Sequence, residues 1–425
     1  NTAYRGFGGP QGMLPIEEVM DRIARHLGLD PLEVRKRNYY GKDERNVTHY
    51  GQTVEHNLLA EMTSELEESS DYHARRAQIT AFNAGSPVLK KGLALTPVKF
   101  GISFTASFLN QAGALIHVYS DGSIHLNHGG TEMGQGLNTK VAQVVAEVFQ
   151  VDIERIQITA TNTDKVPNTS PTAASSGTDL NGKAAQNAAE AIKARLVEFA
   201  AKHFAVHEHE VEFRNNHVRA GKHLLPFDEL ARLAWIGQVS LSSTGYYRTP
   251  KIHYDRASGT GHPFYYFAYG LACVEALVDT LTGEYKLLRS DILHDVGASL
   301  NPAIDLGQIE GGFIQGVGWL TCEELVWDAK GRLLTSGPAS YKIPTVADMP
   351  SDLRIKLVEN RKNPEDTVFH SKAVGEPPFM LGIAAWCAIK DAVASLSDYR
   401  VHPDIDAPAT PERVLWGVQQ MRQAR

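Results

Sequence analysis

The chain has 425 residues, 43% hydrophobic and 21% charged, enough for a large core arranged as two lobes rather than one. Its 42 Lys+Arg against 49 Asp+Glu leave a formal charge of −7, so no basic face points to nucleic acid. Three dispersed cysteines (Cys273, Cys322, Cys387) without a CxxC argue against zinc, iron–sulfur ligation or a disulfide framework and fit a reducing compartment; no apolar run reads as a membrane span and no signal peptide opens the chain. Residues 1–12 read as a Gly-rich loop opened by Asn1 rather than Met, as if cut from a longer chain. Pro15 suits the first position of a helix; Ile16, Val19, Met20, Ile23 and Leu27 give it one apolar face, and Gly28 stops it. Asp30-Pro31 caps a second short helix to Arg37, and residues 57–84 carry enough Leu, Glu and Ala to be helical. Strands follow over 92–95, 99–105 and 114–119; Asp121-Gly122 is a two-residue hairpin signal, returning through 123–127. A Gly-rich stretch over 128–136 precedes Val141, Val144, Val145 and Val148 at helical spacing. Residues 153–160 predict a strand, 162–181 a polar loop long enough for a binding role, and 184–203 an Ala-rich helix. Residues 268–278 and 285–294 predict a hairpin, and 304–320 and 379–396 read as buried helices. Mixed order without regular βαβ alternation predicts an α+β fold.

Four loops share small residues, backbone donors and almost no charge. The first, Tyr4-Arg5-Gly6-Phe7-Gly8-Gly9-Pro10-Gln11, fails the dinucleotide fingerprint because Gln11 stands where the last Gly or Ala is needed. The second, Gly129-Gly130-Thr131-Glu132-Met133-Gly134-Gln135-Gly136, lies between a strand and a helix, so its N–H groups suit an anion; it lacks the Gly-Lys-Ser/Thr of a Walker A loop. The third, Ser170-Pro171-Thr172-Ala173-Ala174-Ser175-Ser176-Gly177-Thr178, offers hydroxyls and bare backbone. The fourth is Gly375-Glu376-Pro377-Pro378. Gly375 permits close approach of a ligand, Pro377 predicts an extended Glu376, and mostly apolar flanks desolvate the carboxylate, raising its pKa toward the range of a general base. Any one of these is more often a tight turn; four in one chain are better explained as one site for a large, polar, anionic cofactor. Phe7, flanked by glycines, and Phe104 could clamp a flat heterocycle, although Phe104 reads equally as a strand core residue. His117, His125 and His128 show no metal-ligand spacing and read as structural or surface residues.

Residues 5–11, 101–105, 129–136, 171–175 and 375–378, with Asp295-Val296-Gly297 and Asn301-Pro302-Ala303-Ile304-Asp305-Leu306-Gly307-Gln308, together resemble the molybdenum-cofactor part of the molybdenum hydroxylase family. Within it, Gly9, the Pro171-Thr172-Ala173-Ala174 run and the proline pair after Glu376 resemble the xanthine dehydrogenase class rather than aldehyde oxidases. The resemblance covers essentially the whole chain. It implies two mixed α/β lobes with the cofactor between them: 1–45 as the tail of the first molybdenum-binding half, 46–245 as lobe one of the second half, and 246–425 as its lobe two. It implies a molybdenum–molybdopterin cofactor and oxidative hydroxylation of purines (hypoxanthine to xanthine to urate) with water as oxygen source. Glu376 is then the general base that takes the proton from a molybdenum-bound hydroxyl. Phe7 and Phe104 sandwich the purine; Thr105 bonds to it, and Leu109, Ala173 and Ala174 line its pocket. The backbones of Arg5 and Ala174 lie beside molybdenum. Gly134, Gln135, Ser175, Ser176, Thr178 and Gln308, with Ala173 and Ala174, hold the pterin and its phosphate, and residues 372–375, Lys372 and Gly375 included, line the cofactor.

The family's purine-orienting glutamate and arginine come from an earlier molybdenum-binding half that this sequence does not contain. Its 2Fe-2S and FAD groups would likewise sit on partner domains or chains, with NAD as the final acceptor, in a cytoplasmic dimer of complete units with no membrane. Two other readings compete: the same fold acting on aldehydes or other N-heterocycles, and a non-catalytic phosphate-ligand-binding or assembly subunit with an ordinary exposed Glu376. A cofactor-free relic would require the Glu376 loop to sit away from residues 129–136.

Overall fold

The computed structural model describes residues 4–166 and 168–423. In chain order it contains α1 (Gly9–Leu27), α2 (Pro31–Arg37), α3 (Leu59–Ser69), α4 (Tyr72–Gly85), β1 (Leu89–Ile102), β2 (Gln111–Val118), β3 (Ile124–His128), α5 (Leu137–Phe149), β4 (Ile156–Ile158) and α6 (Gly177–Phe204). There follow β5 (Val211–Arg214), β6 (His217–Ala220), β7 (His223–Pro226), α7 (Phe227–Ile236), β8 (Ser242–Arg248), β9 (His253–Asp255), β10 (Thr260–His262), β11 (Tyr266–Asp279), β12 (Tyr285–His294), α8 (Pro302–Thr321), β13 (Asp352–Leu357), α9 (Pro377–Met380), α10 (Ile383–Ala394) and α11 (Pro411–Gln423). Helices and strands mix without βαβ regularity, the α+β fold expected.

Two helix-on-sheet layers dominate. One sheet runs β1-β11-β12-β13, antiparallel except for the parallel β12/β13 pair; the other runs β4-β3-β2-β8. A three-stranded sheet (β5-β6-β7) and the β9/β10 pair complete the set. The first sheet is covered on one face by α8 and α10 and on the other by α3 and α4. That double burial explains why β11 reads as a near-continuous apolar run rather than an alternating one. Gly92 lets α10 lie directly on β1: a Cβ there would come within 2.1 Å of the Ala388 carbonyl. Gly245 does the same for α6 on β8, against the Ala184 carbonyl at 2.0 Å. β1 falls in the sequence range read as the first lobe, yet it pairs along its whole length with β11 of the second.

Several boundaries differ from expectation. α1 starts at Gly9, with Pro10 in its first turn and Pro15 inside it, so the first loop is shorter than its glycines implied. Its apolar stripe is outermost: Ile16, Val19, Ile23 and Leu27 are exposed, while Glu17, Asp21 and Ala24 are buried. The carboxylates tolerate burial because Arg35 of α2 meets Glu17 at 2.5 Å and Asp21 at 2.7 Å. The 57–84 segment breaks at Asp71 into α3 and α4. The 162–181 loop is shortened because α6 begins at Gly177. The segment Pro377–Ser397 is long and apolar enough to cross a membrane, contrary to the sequence reading, but it is wholly buried inside the protein and serves as the core.

Candidate active site

The first, third and fourth loops meet at one carboxyl group. Glu376 Oε2 accepts from the Ser175 hydroxyl at 2.7 Å, and Oε1 accepts from the Gly6 N–H at 3.1 Å. The Glu376 N–H donates back to Ser175 Oγ at 2.8 Å. Glu376 is not extended as its following proline predicted. It lies in the α region (φ −91°, ψ −39°), because it caps α9, where its carbonyl accepts from the Phe379 N–H. The pre-proline bias is a preference that these bonds outweigh. Burial pushes the Glu376 carboxyl above its ordinary pKa; the Ser175 hydroxyl, the Gly6 N–H and the Arg5 charge pull the other way, and burial prevails.

Arg5 locks this corner from behind. Its Nε donates to the Gly375 carbonyl at 2.6 Å, its Nη1 to Gln315 Oε1 at 3.1 Å and its Nη2 to the Gln308 carbonyl and Oε1 at 3.3 and 3.4 Å. Gln315 also donates to the Tyr4 hydroxyl at 2.9 Å. Burial lowers the Arg5 pKa against the attraction of Glu376. Gly375 packs tightly on the third loop, where a Cβ would stand 3.1–3.4 Å from Ser175. Tyr4, Gly6 and Gln315 were not foreseen. Gln308 and Gln315 lie seven residues apart, two turns along α8, and that shared face was the available signal.

Non-glycine residues held at positive φ gather in these loops: Phe7 at 45°, Ala174 at 57° and Ser175 at 58°, with Phe369 (46°) and His370 (60°) just before the fourth loop. Such strain persists only where surroundings impose it, and it concentrates at working sites. Phe7 is 78% exposed. Phe104 lies just past the end of β1 and is half-buried, so it is not a strand core residue; Asn110 pins its N–H and carbonyl at 2.8 and 2.9 Å. Thr105 is exposed, Leu109 half-buried, and Ala173 exposed in the third loop. Ser176 is buried with its hydroxyl on the Ala173 carbonyl at 3.3 Å, and Thr178 stands in the first turn of α6. Lys372 turns inward: its ammonium meets Asp295 at 2.5 Å and the Phe267 carbonyl at 3.1 Å, leaving its backbone as the part able to face a cofactor.

The second loop stands next to the third, joined by Thr131 N–H to Thr172 Oγ1 at 2.8 Å. Some of the donors at its helix N-terminus are already engaged within the loop. Glu132 accepts from the N–H groups of Gly134 (2.8 Å), Gly136 (3.1 Å) and Asn138 (2.9 Å), an internal anion favoured by the start of α5. The Gln135 side chain bridges the Met133 N–H (2.5 Å) and the Thr131 carbonyl (2.9 Å). Gly134 (φ 96°) has open space where a Cβ would stand. Beneath the loop, Asn181 Oδ1 is buried without a hydrogen-bond partner among the described residues, and His128 is buried with its Nδ1 accepting from the Gly130 N–H at 3.1 Å. A cradle of glycines and amide side chains over an unmatched polar atom fits a large polar cofactor.

A family model for the molybdopterin cofactor-binding domain matches residues 65–350, and a second of the same description matches residues 1–39. The chain is 46% identical over 422 residues to the xanthine dehydrogenase/oxidase of Felis catus and 45% identical over 424 residues to the xanthine dehydrogenase of Oryza sativa subsp. japonica. Each alignment covers 97% of this chain but only 30% and 29% of the relative. The fold superposes on a chain of CO dehydrogenase from Oligotropha carboxidovorans with a TM-score of 0.85 at 24% identity, covering 99% of this chain and 53% of that one. It also superposes on the aldehyde oxidoreductase of Desulfovibrio gigas, with a TM-score of 0.77 at 26% identity over 98% of this chain and 42% of that one. The loops that meet at Glu376, and the glycine cradle beside them, are those of a chain that belongs to the molybdopterin cofactor-binding domain family, in the portion shared with xanthine dehydrogenases.

Proposed function

We propose that this chain is the part of a purine hydroxylase that binds substrate and molybdopterin, converting hypoxanthine to xanthine and xanthine to urate with water as oxygen source. The observation that carries the reading is the half-buried carboxyl of Glu376, pushed up in pKa and oriented by Ser175 and Gly6. The molybdenum–pterin group, when bound, supplies the two-electron oxidation. Glu376 holds the proton that the attacking oxygen gives up, on whichever of Oε1 and Oε2 faces it. Phe7 and Phe104 stack on the purine, Thr105 bonds to it, and Leu109, Ala173 and Ala174 close the pocket around it. Gly134, Gln135, Ala173, Ala174, Ser175, Ser176, Thr178 and Gln308 would hold the pterin and its phosphate, the backbones of Arg5 and Ala174 would face the metal, and residues 372–375, Lys372 and Gly375 included, would line the cofactor. In this reading Ser175 serves Glu376 as well as the cofactor, since its hydroxyl already touches the carboxylate.

The rest of the reaction belongs elsewhere. The relatives are more than three times longer than the stretch they share with this chain. We assign 2Fe-2S and FAD groups, the purine-orienting residues and the transfer of electrons to NAD to that remainder, in a cytoplasmic dimer of complete units. The deciding experiment takes the complete enzyme, measures molybdenum and pterin content, and compares hypoxanthine, xanthine and benzaldehyde as substrates. Purines should be oxidised in preference to benzaldehyde. A protein lacking molybdenum overturns the enzyme reading, and one that prefers benzaldehyde overturns the purine assignment.

A further inference from the structure

Tyr266 of β11 is 5% exposed and uses its hydroxyl twice. It donates to Asp179 Oδ2 at 2.7 Å and accepts from the Ala373 N–H at 2.8 Å. Asp179 stands in the first turn of α6, four residues after Ser175, and Ala373 comes three residues before Glu376. The two segments that touch at Ser175 and Glu376 are therefore joined again, deeper in the protein, through one phenol. All three partners are buried, and the ring packs with Ile102, Tyr265, Ala268 and Ala373. The lysines nearest in charge to Asp179 are engaged elsewhere: Lys140 with Asp305 and Lys183 with Asp366. A buried carboxyl, phenol and amide N–H are each costly without partners, so this trio holds one geometry strongly. Burial raises the Asp179 carboxyl to about 7, a further mark of how little water reaches it.

We propose that Tyr266 and Asp179 are positioning residues for Glu376. Their buckle fixes the gap between residues 173–179 and the 371–376 loop so that Ser175 Oγ meets the carboxylate. None of the cofactor or substrate contacts assigned above involves either side chain. The inference rests on the reading of Glu376 as the base, but its geometry can be tested without it. Small misplacement of a catalytic group costs on the order of 10²-fold in rate.

The test uses the complete cofactor-loaded enzyme and four variants: Tyr266→Phe, Asp179→Ala, Asp179→Asn, and Ile102→Val as a control in the same apolar cluster. Two readouts are taken: backbone hydrogen exchange over residues 371–376, and kcat and KM for xanthine. Asp179→Ala, which removes one of the phenol's two buried hydrogen bonds, should exchange that loop roughly tenfold faster, and Tyr266→Phe, which removes both, at least as fast. They should lose kcat by about 10- to 100-fold with KM within about twofold. Asp179→Asn keeps an acceptor for the phenol and should stay within about threefold of wild type in kcat. Ile102→Val should leave both readouts in place. The proposal is overturned if Tyr266→Phe and Asp179→Ala exchange residues 371–376 at the wild-type rate, or if Ile102→Val reproduces their losses. If the wild-type enzyme oxidises no purine, the base reading fails, and the exchange measurement alone still decides whether the buckle holds the loop.

Discussion

Two loops of the same composition are built in opposite ways. At the Glu376 corner, three segments are tied to one another by side chains from distant parts of the chain: Gly6 to Glu376, Arg5 to Gly375 and Gln315, Ser175 to Glu376. In the Gly129–Gly136 loop Glu132 and Gln135 instead bond mainly to the loop's own backbone, and residues 131–134 are exposed. The corner places its carboxyl through the fold alone, whereas the second loop keeps those of its donors that Glu132 and Gln135 accept from satisfied until something displaces or joins those bonds. Preorganisation is where catalysis draws its largest advantage, so damage at the corner should appear in rate and damage at the second loop in cofactor retention.

The largest effect is expected from Glu376→Gln. It keeps the shape and the acceptor oxygen but cannot take a proton, so kcat should fall by about 10³-fold while molybdenum content stays near wild type. Near-normal xanthine oxidation by that variant ends the general-base assignment. The same variant carries a stability signature. Because folding raises the Glu376 pKa, ionising it opposes folding: the penalty is absent in acid, grows between the unfolded and folded values, and is full above the folded one. Glu376→Gln should therefore gain Tm over wild type at about pH 8 and not at about pH 4, and an equal difference at both would place the carboxyl in water.

Smaller losses should follow at its neighbours. Arg5→Lys keeps the charge but cannot reach Gly375, Gln308 and Gln315 together, and kcat should fall on the order of tenfold. Ser175→Ala removes the hydroxyl that holds the carboxyl down, so the pKa rises further and the acid limb of the pH–rate profile moves to higher pH. A limb that moves to lower pH contradicts the assigned role.

The parts of this comparison that could be read from sequence were local. Four runs of small residues are visible as strings, one of them around Glu376, and the β11–β12 hairpin and the α8 and α10 helices follow from mostly apolar runs with clear turns. What stayed hidden depends on contacts across hundreds of residues. Gly6 and Glu376 are 370 positions apart, and Gln315 and Tyr4 are 311 apart, so neither partner carries a local mark. α1 misled for a related reason. Its apolar stripe was legible, but Arg35, on the next helix, decides which side is buried, by neutralising Glu17 and Asp21. Likewise the local rule before Pro377 gave way where Glu376 caps α9 through the Phe379 N–H and its own N–H meets the Ser175 hydroxyl, supplied from 201 residues away.

The mildest expectation concerns the self-capped loop and separates the two designs most sharply. Burial tends to raise the Glu132 pKa, but the N–H groups of Asn138, Gly134 and Gly136 outweigh it and hold the carboxyl below its usual value. A lowered folded-state pKa stabilises the fold above the unfolded value and loses that contribution as pH falls through the folded one. Glu132→Gln should therefore cost about 1 kcal/mol at neutral pH, the usual worth of a helix cap, and nothing in strong acid, measured by urea unfolding. Since Glu132 reaches neither Glu376 nor Arg5 by any hydrogen bond, kcat per bound molybdenum should hold while the molybdenum content drops. If kcat per molybdenum falls instead, the second loop shares in placing the base, and the division between a corner fixed by the fold and a loop completed by its cofactor fails.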